Sequence, residues 1–213
     1  MIMNNIREKI EQSNEIFFDF LSNENYDKVK KIIEVSDEVI FCGVGKNWYI
    51  CEKIVKTWLS MGIKCTALDC VHALHGDLGM LQNDSNKVIF FISKSGTTEE
   101  MVKLLNIVND LRNNGILKNL VTVGFNMNNM VDKSKYDYCL TPSSIPYSEV
   151  KEFDERNLVP SLSINTMQMV LDLMGVDIYE NNPKMIENYK YNHLAGANGK
   201  RLGGDKYIET VTK

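Results

Sequence analysis

The sequence predicts an α/β protein of three layers, with helices covering both faces of a five-stranded parallel sheet. Short apolar runs alternate with segments of about a dozen residues whose apolar positions follow helical spacing, as βαβ units require. The run Val88–Ile92 is wholly apolar, which is typical of a strand covered on both faces. We expect the crossovers between the strands to be right-handed.

The elements follow one another without an internal repeat or linker, so we expect a single domain over residues 1–213. Apolar residues at helical spacing predict two helices in residues 1–35. The core is predicted over residues 36–180, and a C-terminal helix and tail over residues 181–213. Within the core we predict strands near residues 37–42, 64–68, 88–92, 120–124 and, more weakly, 136–140.

The composition excludes several classes of protein. Lys and Arg number 24 against 28 Asp and Glu, a net charge of -4, which gives no basic footprint for nucleic acid. No apolar run approaches the ~20 residues that cross a bilayer, and the N-terminus lacks the apolar core of a signal peptide. We therefore expect a cytoplasmic protein that binds neither nucleic acid nor membranes.

The five cysteines are expected to be buried, reduced thiols, because no CxxC occurs and three of them fall in strand-like runs. His72, His75 and Asp77 superficially suggest a metal site, but no third histidine lies nearby. We expect no metal and no cofactor.

Ligands of such sheets bind beyond the carboxyl ends of the strands, so the loops that follow strands are the places to search for chemistry. After the first strand comes Gly43-Val44-Gly45-Lys46. Its two glycines allow close approach of a ligand to the backbone. The loop has neither the third glycine of a dinucleotide fingerprint nor the ending of a P-loop.

The segment after the third strand is the most informative one. It carries four hydroxyls, from Ser93, Ser95, Thr97 and Thr98, around Gly96 at a strand-to-helix turn. Hydroxyls and the free amides of a helix N-terminus form a cradle for a phosphate group. Thr97 with Glu100 also fits a capping box that needs no ligand, but a cap does not require the two serines. We predict a phosphate site here.

Two later segments offer further candidates. Pro160 opens another helix, and Ser161 and Ser163 either add to the anion site or are ordinary helix-start residues. His193 lies in a Gly-rich polar tail, where an imidazole can donate or accept a proton near neutral pH. The charged run 151–156 is typical of a solvated loop.

These motifs together resemble the sugar isomerase (SIS) family, and within it the arabinose-5-phosphate isomerases, over roughly residues 30–203. They are Gly43-x-Gly45-Lys46, His75-Gly76-Asp77-Leu78-Gly79-Met80, Ile92-Ser93-x-Ser95-Gly96-x-Thr98-Glu99-Glu100, the Pro160 helix start and the His193 tail. The resemblance implies a flavodoxin-like fold, a sugar phosphate as substrate, and a homotetramer in which His193 reaches a neighbouring subunit's site. Few residues follow Gly203, so we expect none of the nucleotide-sensing CBS modules that many relatives carry.

The resemblance also implies the reaction, an aldose–ketose isomerisation of ribulose 5-phosphate and arabinose 5-phosphate through a cis-enediol, which feeds synthesis of the sugar acid Kdo. Lys46, Glu100, Glu152 and His193 are the catalytic residues it implies, and Gly45 and His75 join the substrate contacts. Our hypothesis makes Glu152 the enolising base and His193 the proton shuttle, while Lys46 or a polar neighbour stabilises the enediolate oxygen. Glu100 serves as a second acid/base or caps its helix.

The chain departs from the family's pattern at several positions. The helix start Pro160–Asn165 carries fewer hydroxyls than the family's, and Asn47-Trp48 stands where a Ser-Gly pair is usual. Two alternatives therefore stay beside the main hypothesis. One is a sensor that binds a sugar phosphate without turnover, and the other is an isomerase of a heptose or hexulose phosphate.

Overall fold

The computed structural model describes residues 2–82 and 85–211, and in them the strands form one five-stranded, wholly parallel sheet. The strands are β1 (Glu38–Gly43), β2 (Cys65–Asp69), β3 (Lys87–Ser93), β4 (Leu120–Asn126) and β5 (Tyr138–Leu140). Their order across the sheet is β2-β1-β3-β4-β5. This is the flavodoxin-like order, so the predicted fold class is confirmed.

Two helices precede the first strand and the others lie between and after the strands, as the sequence pattern predicted. They are α1 (Ile2–Leu21), α2 (Tyr26–Val35), α3 (Lys46–Met61), α4 (Cys70–Ala73), α5 (Glu99–Asn113), α6 (Leu162–Glu180), α7 (Pro183–Asn192), α8 (Gly196–Leu202) and α9 (Asp205–Val211). Side chains of α1, α2, α3 and α6 share one core against one face of the sheet, and those of α4 and α5 share a second core against the other.

The central strand β3 shows why its sequence is apolar throughout. Phe90 points into the core under α3 and α6, whereas Phe91 points into the core under α5, and both side chains are fully buried. Successive side chains of a strand point to opposite faces. A strand with helices on both sides must therefore be apolar at every position.

The packing of α3 against α6 fixes the positions of their first turns, which lie at the carboxyl edge of the sheet. The Trp58 indole is fully buried and donates a hydrogen bond of 3.0 Å to the carbonyl of Leu171. A Cβ built at Gly175 would lie 2.4 Å from the indole nitrogen. The glycine thus lets the two helices approach each other closely.

The C-terminal region differs from its prediction as one helix and a tail. It folds into α7, α8 and α9, and residues 212 and 213 of the predicted tail lie outside the described residues. Asn182 caps α7 by accepting a hydrogen bond from the amide of Met185, and Gly203 ends α8 with φ of 73°. Elsewhere, the five cysteines are buried and free. None of the described helices is both long and apolar enough to cross a membrane.

Candidate functional site

A pocket of about 290 Å³ lies at the carboxyl edge of the sheet, where the sequence predicted the ligand site. It is bounded by the first turns of α3 and α6 and by the loop between β3 and α5. Its lining consists of Lys46, Asn47, Ser93, Lys94, Ser95, Thr98, Tyr147, Pro160 and Ile164. Four of the predicted site residues, Lys46, Ser93, Ser95 and Thr98, therefore share one cavity.

The glycine loop presents the first turn of α3 to this pocket. Gly45 precedes the helix with φ of 62° and ψ of -126°, a conformation that favours glycine, and no side chain caps the helix there. Lys46 is the first helical residue, and its side chain is exposed. Within the described part of the chain it has no ion-pair partner, so it leaves an uncompensated positive charge beside uncapped amides.

The serine loop between β3 and α5 is held by its own hydrogen bonds. The Ser93 hydroxyl accepts from the Gly96 amide at 3.0 Å and lies 3.2 Å from the Thr98 hydroxyl. The Ser95 hydroxyl accepts from the Thr97 amide at 3.1 Å. Gly96 has φ of 70°, and a Cβ there would lie 2.2 Å from the Val131 side chain, so only glycine fits. These contacts within the loop hold its hydroxyls in a defined arrangement.

The helix after this loop has an open N-terminus. Thr98, rather than Thr97, is the N-cap residue of α5, and no side-chain cap bond forms. The capping box of Thr97 and Glu100, the alternative that needs no ligand, is therefore absent at this helix start. Thr97 faces a neighbouring cavity, and Glu100 is exposed on the first turn without lining the pocket.

Glu152 lies behind the pocket and is fully buried, in contrast to the solvated loop predicted for its charged run. One carboxylate oxygen accepts from the Ser161 amide at 2.8 Å, the Ser161 hydroxyl at 3.2 Å and the Ser163 amide at 3.2 Å. The other accepts from the Ser163 hydroxyl and pairs with the Lys94 ammonium at 2.6 Å. Glu152 thus caps α6, and the hydroxyls of Ser161 and Ser163 serve this carboxylate.

The charge state of Glu152 follows from these contacts. Burial raises the pKa of its carboxyl, but the bonds from Lys94 and from the two serines outweigh burial and hold the pKa below its ordinary value. Glu152 is therefore an anion at neutral pH, and its negative charge is balanced by Lys94.

Neither of the two predicted histidines is among the residues that line the pocket. His75 is exposed, between α4 and a 3₁₀ turn over Asp77–Leu81. His193 follows α7, its Nδ1 lies 3.1 Å from the Tyr189 carbonyl, and its ring stacks on Tyr189 at 4.1 Å. The residue before it, Asn192, donates to the carbonyl of Ser60 at the far end of α3. Residues 46 and 60 are about 21 Å apart along the helix axis, so His193 does not reach the pocket of its own protomer.

Five residues of the lining were not among the predicted site residues: Asn47, Lys94, Tyr147, Pro160 and Ile164. Lys94 stands between the two serines of the predicted cradle, so its position in the motif was a usable signal. Tyr147 lies in a 3₁₀ turn over Tyr147–Glu149 of the long loop before α6, and no local pattern marks it. Among the described residues, no group of three or more candidate ligands is arranged to hold a metal ion.

Known proteins resemble this chain in sequence and in fold. Arabinose 5-phosphate isomerase KdsD of Pseudomonas aeruginosa is 28% identical over 164 residues, which is 77% of this chain and 46% of that protein. A proposed phosphosugar isomerase of capsule formation from Bacteroides fragilis superposes with a TM-score of 0.72 at 24% identity, covering 91% of this chain and 97% of that one. The chain has the fold of the phosphosugar isomerases.

A further solved structure is that of an Escherichia coli CFT073 protein in complex with arabinose 5-phosphate. It superposes with a TM-score of 0.68 at 22% identity and covers 88% of this chain and 96% of that one. No family model matches the chain. The chain spans about half of the length of the curated relatives that it matches. The resemblance predicted from the sequence is confirmed by these similarities in sequence and fold.

Proposed function

We propose that this chain is a sugar-phosphate isomerase, with ribulose 5-phosphate and arabinose 5-phosphate as its first candidate pair. The observation that carries the proposal is the convergence of the serine loop, two uncapped helix N-termini and Lys46 on one small pocket. Such an arrangement suits a phosphate group, because amides, hydroxyls and an ammonium all donate to anionic oxygens. The names of the relatives and the sugar phosphate bound in the Escherichia coli structure support this choice of substrate.

The phosphate would anchor the sugar at Ser93, Ser95 and Thr98 and leave its carbonyl end near Lys46. Isomerisation moves a proton between two neighbouring carbons through a cis-enediol, so it needs a base and a group that stabilises the enediolate oxygen. Lys46 supplies positive charge for the oxygen. Binding of the remote phosphate supplies positioning energy for the reacting carbons.

The identity of the base stays a prediction. The resemblance assigns it to Glu152, with His193 as the shuttle, Glu100 as a second acid/base and His75 as a substrate contact. In this conformation the Glu152 carboxylate is fully buried and saturated with donors. A group in that state cannot touch a substrate carbon unless Lys94 and the loop before α6 move.

The proposal extends to the biological setting that the resemblance implies. It places the enzyme in the cytoplasm, on the route to Kdo, as a homotetramer of chains that each form one SIS domain over residues 1–213. These statements rest on the resemblance and on the relatives' names.

A substrate panel tests the function directly. The purified chain is incubated with phosphorylated pentoses, hexulose and heptose phosphates, and the products are followed by NMR in D₂O. We expect ribulose 5-phosphate to yield arabinose 5-phosphate with deuterium incorporated at the exchanging carbon. Turnover of a longer sugar instead would reassign the substrate, and exchange with none of them would reject the isomerase.

One observation favours the sensor alternative. No carboxylate or imidazole of the described residues lines the pocket of the single protomer. A binder without a base would show saturable binding of ribulose 5-phosphate by calorimetry and no deuterium exchange. The same samples therefore distinguish the two functions.

A further inference from the structure

The Lys94–Glu152 ion pair is buried at one end and open at the other. The Glu152 carboxylate has no exposed surface, whereas 16% of the Lys94 side chain is exposed and the residue lines the pocket. The pair joins the serine loop to the helix cap of α6. The pair therefore presents its cation, and not its carboxylate, to the cavity.

The hydrogen bonds of the two partners show that Glu152, but not Lys94, has all of its hydrogen-bonding positions occupied. Glu152 accepts from two amides and two hydroxyls besides the ammonium, so both of its oxygens are occupied. An ammonium has three donors. Within the described residues its one partner is Glu152. Two donors of Lys94 therefore remain for a ligand in the pocket.

Lys94 lies where it can contact an anionic ligand bound by the serine loop. It stands in the chain between Ser93 and Ser95, and its side chain, those of both serines and that of Thr98 line the same cavity. The rigid contacts of Glu152 restrict the ammonium to one place, since the carboxylate is fixed to the first turn of α6. A lysine held in this way loses little side-chain entropy when a ligand binds.

We infer that Lys94 binds the phosphate group directly and that Glu152 is a positioning residue that holds Lys94 at the pocket. The inference rests on the proposed function for the nature of the ligand. It changes the predicted role of Glu152 from base to orienting group. The proton transfer then requires a group from outside this pocket. The sequence names two such groups, Glu100 and His193, the latter from a second copy of the chain.

The test uses K94M/E152Q, which removes both charges together. K94M alone would leave a buried carboxylate without its cation, which is strongly destabilising and risks unfolding. The double variant avoids that cost, and the glutamine that replaces Glu152 keeps an acceptor for the α6 amides. Binding of inorganic phosphate is measured by calorimetry on the full chain, together with thermal unfolding and, where turnover is found, kcat and KM.

We expect the double variant to bind phosphate at least about tenfold more weakly than the wild-type chain, with a raised KM and kcat retained within about tenfold. The conservative K94R, which keeps the cation and its pairing, is expected to restore affinity to within about threefold. K103M, at an exposed lysine of α5 outside the pocket, is the matched control for loss of one positive charge and should bind phosphate normally.

Each contrary result has a distinct meaning. Unchanged phosphate affinity in K94M/E152Q would overturn the binding role of Lys94. A loss of kcat of about 100-fold or more at unchanged KM would overturn the positioning role of Glu152, because loss of a group that only orients Lys94 is expected to raise KM. Absence of phosphate binding by the wild-type chain would reject the cradle of the proposed function itself, so the two failures are separable.

Discussion

At the scale of single residues, the carboxyl edge of the sheet is organised by one buried charge. Glu152 lies between donors of three residues from neighbouring segments, Lys94, Ser161 and Ser163, and each contact is within hydrogen-bond distance. The cation on one side and the amides of α6 on the other stabilise the anionic form. This residue has the same effect as a bound anion would have at that helix start, which leaves the starts of α3 and α5 open for a ligand.

The lowered pKa of Glu152 makes stability depend on pH. A group whose pKa is lower in the folded chain adds stability above its unfolded value, here 4.5, and loses it as the pH falls through the folded value. We expect the gap in unfolding temperature between the wild-type chain and E152Q to be full above about pH 6 and to shrink as the pH falls below 4.5. Thermal denaturation of both chains across this pH range measures the gap. A gap that does not change with pH would contradict the lowered pKa of Glu152.

At the scale of elements, two long helices determine where the pocket lies. α3 and α6 pack through the Trp58 indole and Gly175, and their first turns supply Lys46 and Ile164 of the cavity lining. The loop before α6 is fastened as well, because the Lys9 ammonium of α1 donates to the carbonyls of Phe153 and Asp154. The geometry of the site therefore depends on contacts well outside it.

Substitution of Gly175 tests this dependence. In G175A the new Cβ would lie 2.4 Å from the indole nitrogen of a fully buried ring. We expect the free energy of unfolding to fall by about 1–3 kcal/mol, the usual cost of overpacking, and phosphate affinity to fall with it. V176A on the same helix, whose side chain is 39% exposed, is the control. Urea denaturation gives the stabilities, and a G175A chain as stable as the control would show that the ring gives way freely.

At the scale of the whole molecule, the position of His193 bears on whether a second copy of the chain contributes to the site. α7 carries it to the end of α3 opposite the pocket, where Asn192 bonds the Ser60 carbonyl. If His193 takes part in catalysis, as the resemblance implies, it must act on the pocket of another copy. The predicted homotetramer remains untested, and this geometry gives it a specific experiment.

Subunit complementation is that experiment. K46M and H193A each remove one of the two groups, so each variant alone should have little isomerase activity. When they are mixed, unfolded and refolded together, hybrid assemblies would contain some sites with both groups intact, and we expect a substantial part of the activity to return. Activity that stays at the level of the separate variants would show that Lys46 and His193 do not act in a shared site. Gel filtration of each variant is the control for assembly.

The sequence alone determined the strands, their parallel arrangement and the serine loop. Val88–Ile92 predicted a strand that the structure extends to Lys87–Ser93, and the turn at Gly96 fell at the carboxyl edge. Such features follow from local periodicity and from backbone conformations that glycine permits. The same local signals were weak for the exposed C-terminal helices, because few apolar residues mark their faces.

Only the tertiary structure decided the surroundings of Glu152 and the place of His193. Glu152 and Lys94 are 58 positions apart in the chain, so no local pattern relates them. Whether a charged residue is solvated or buried depends on which partners the folded chain brings to it, and the energy of a buried charge is set by those contacts. The strands were predictable from their own residues, whereas the charge balance of the pocket depends on tertiary contacts between residues that are far apart in the chain.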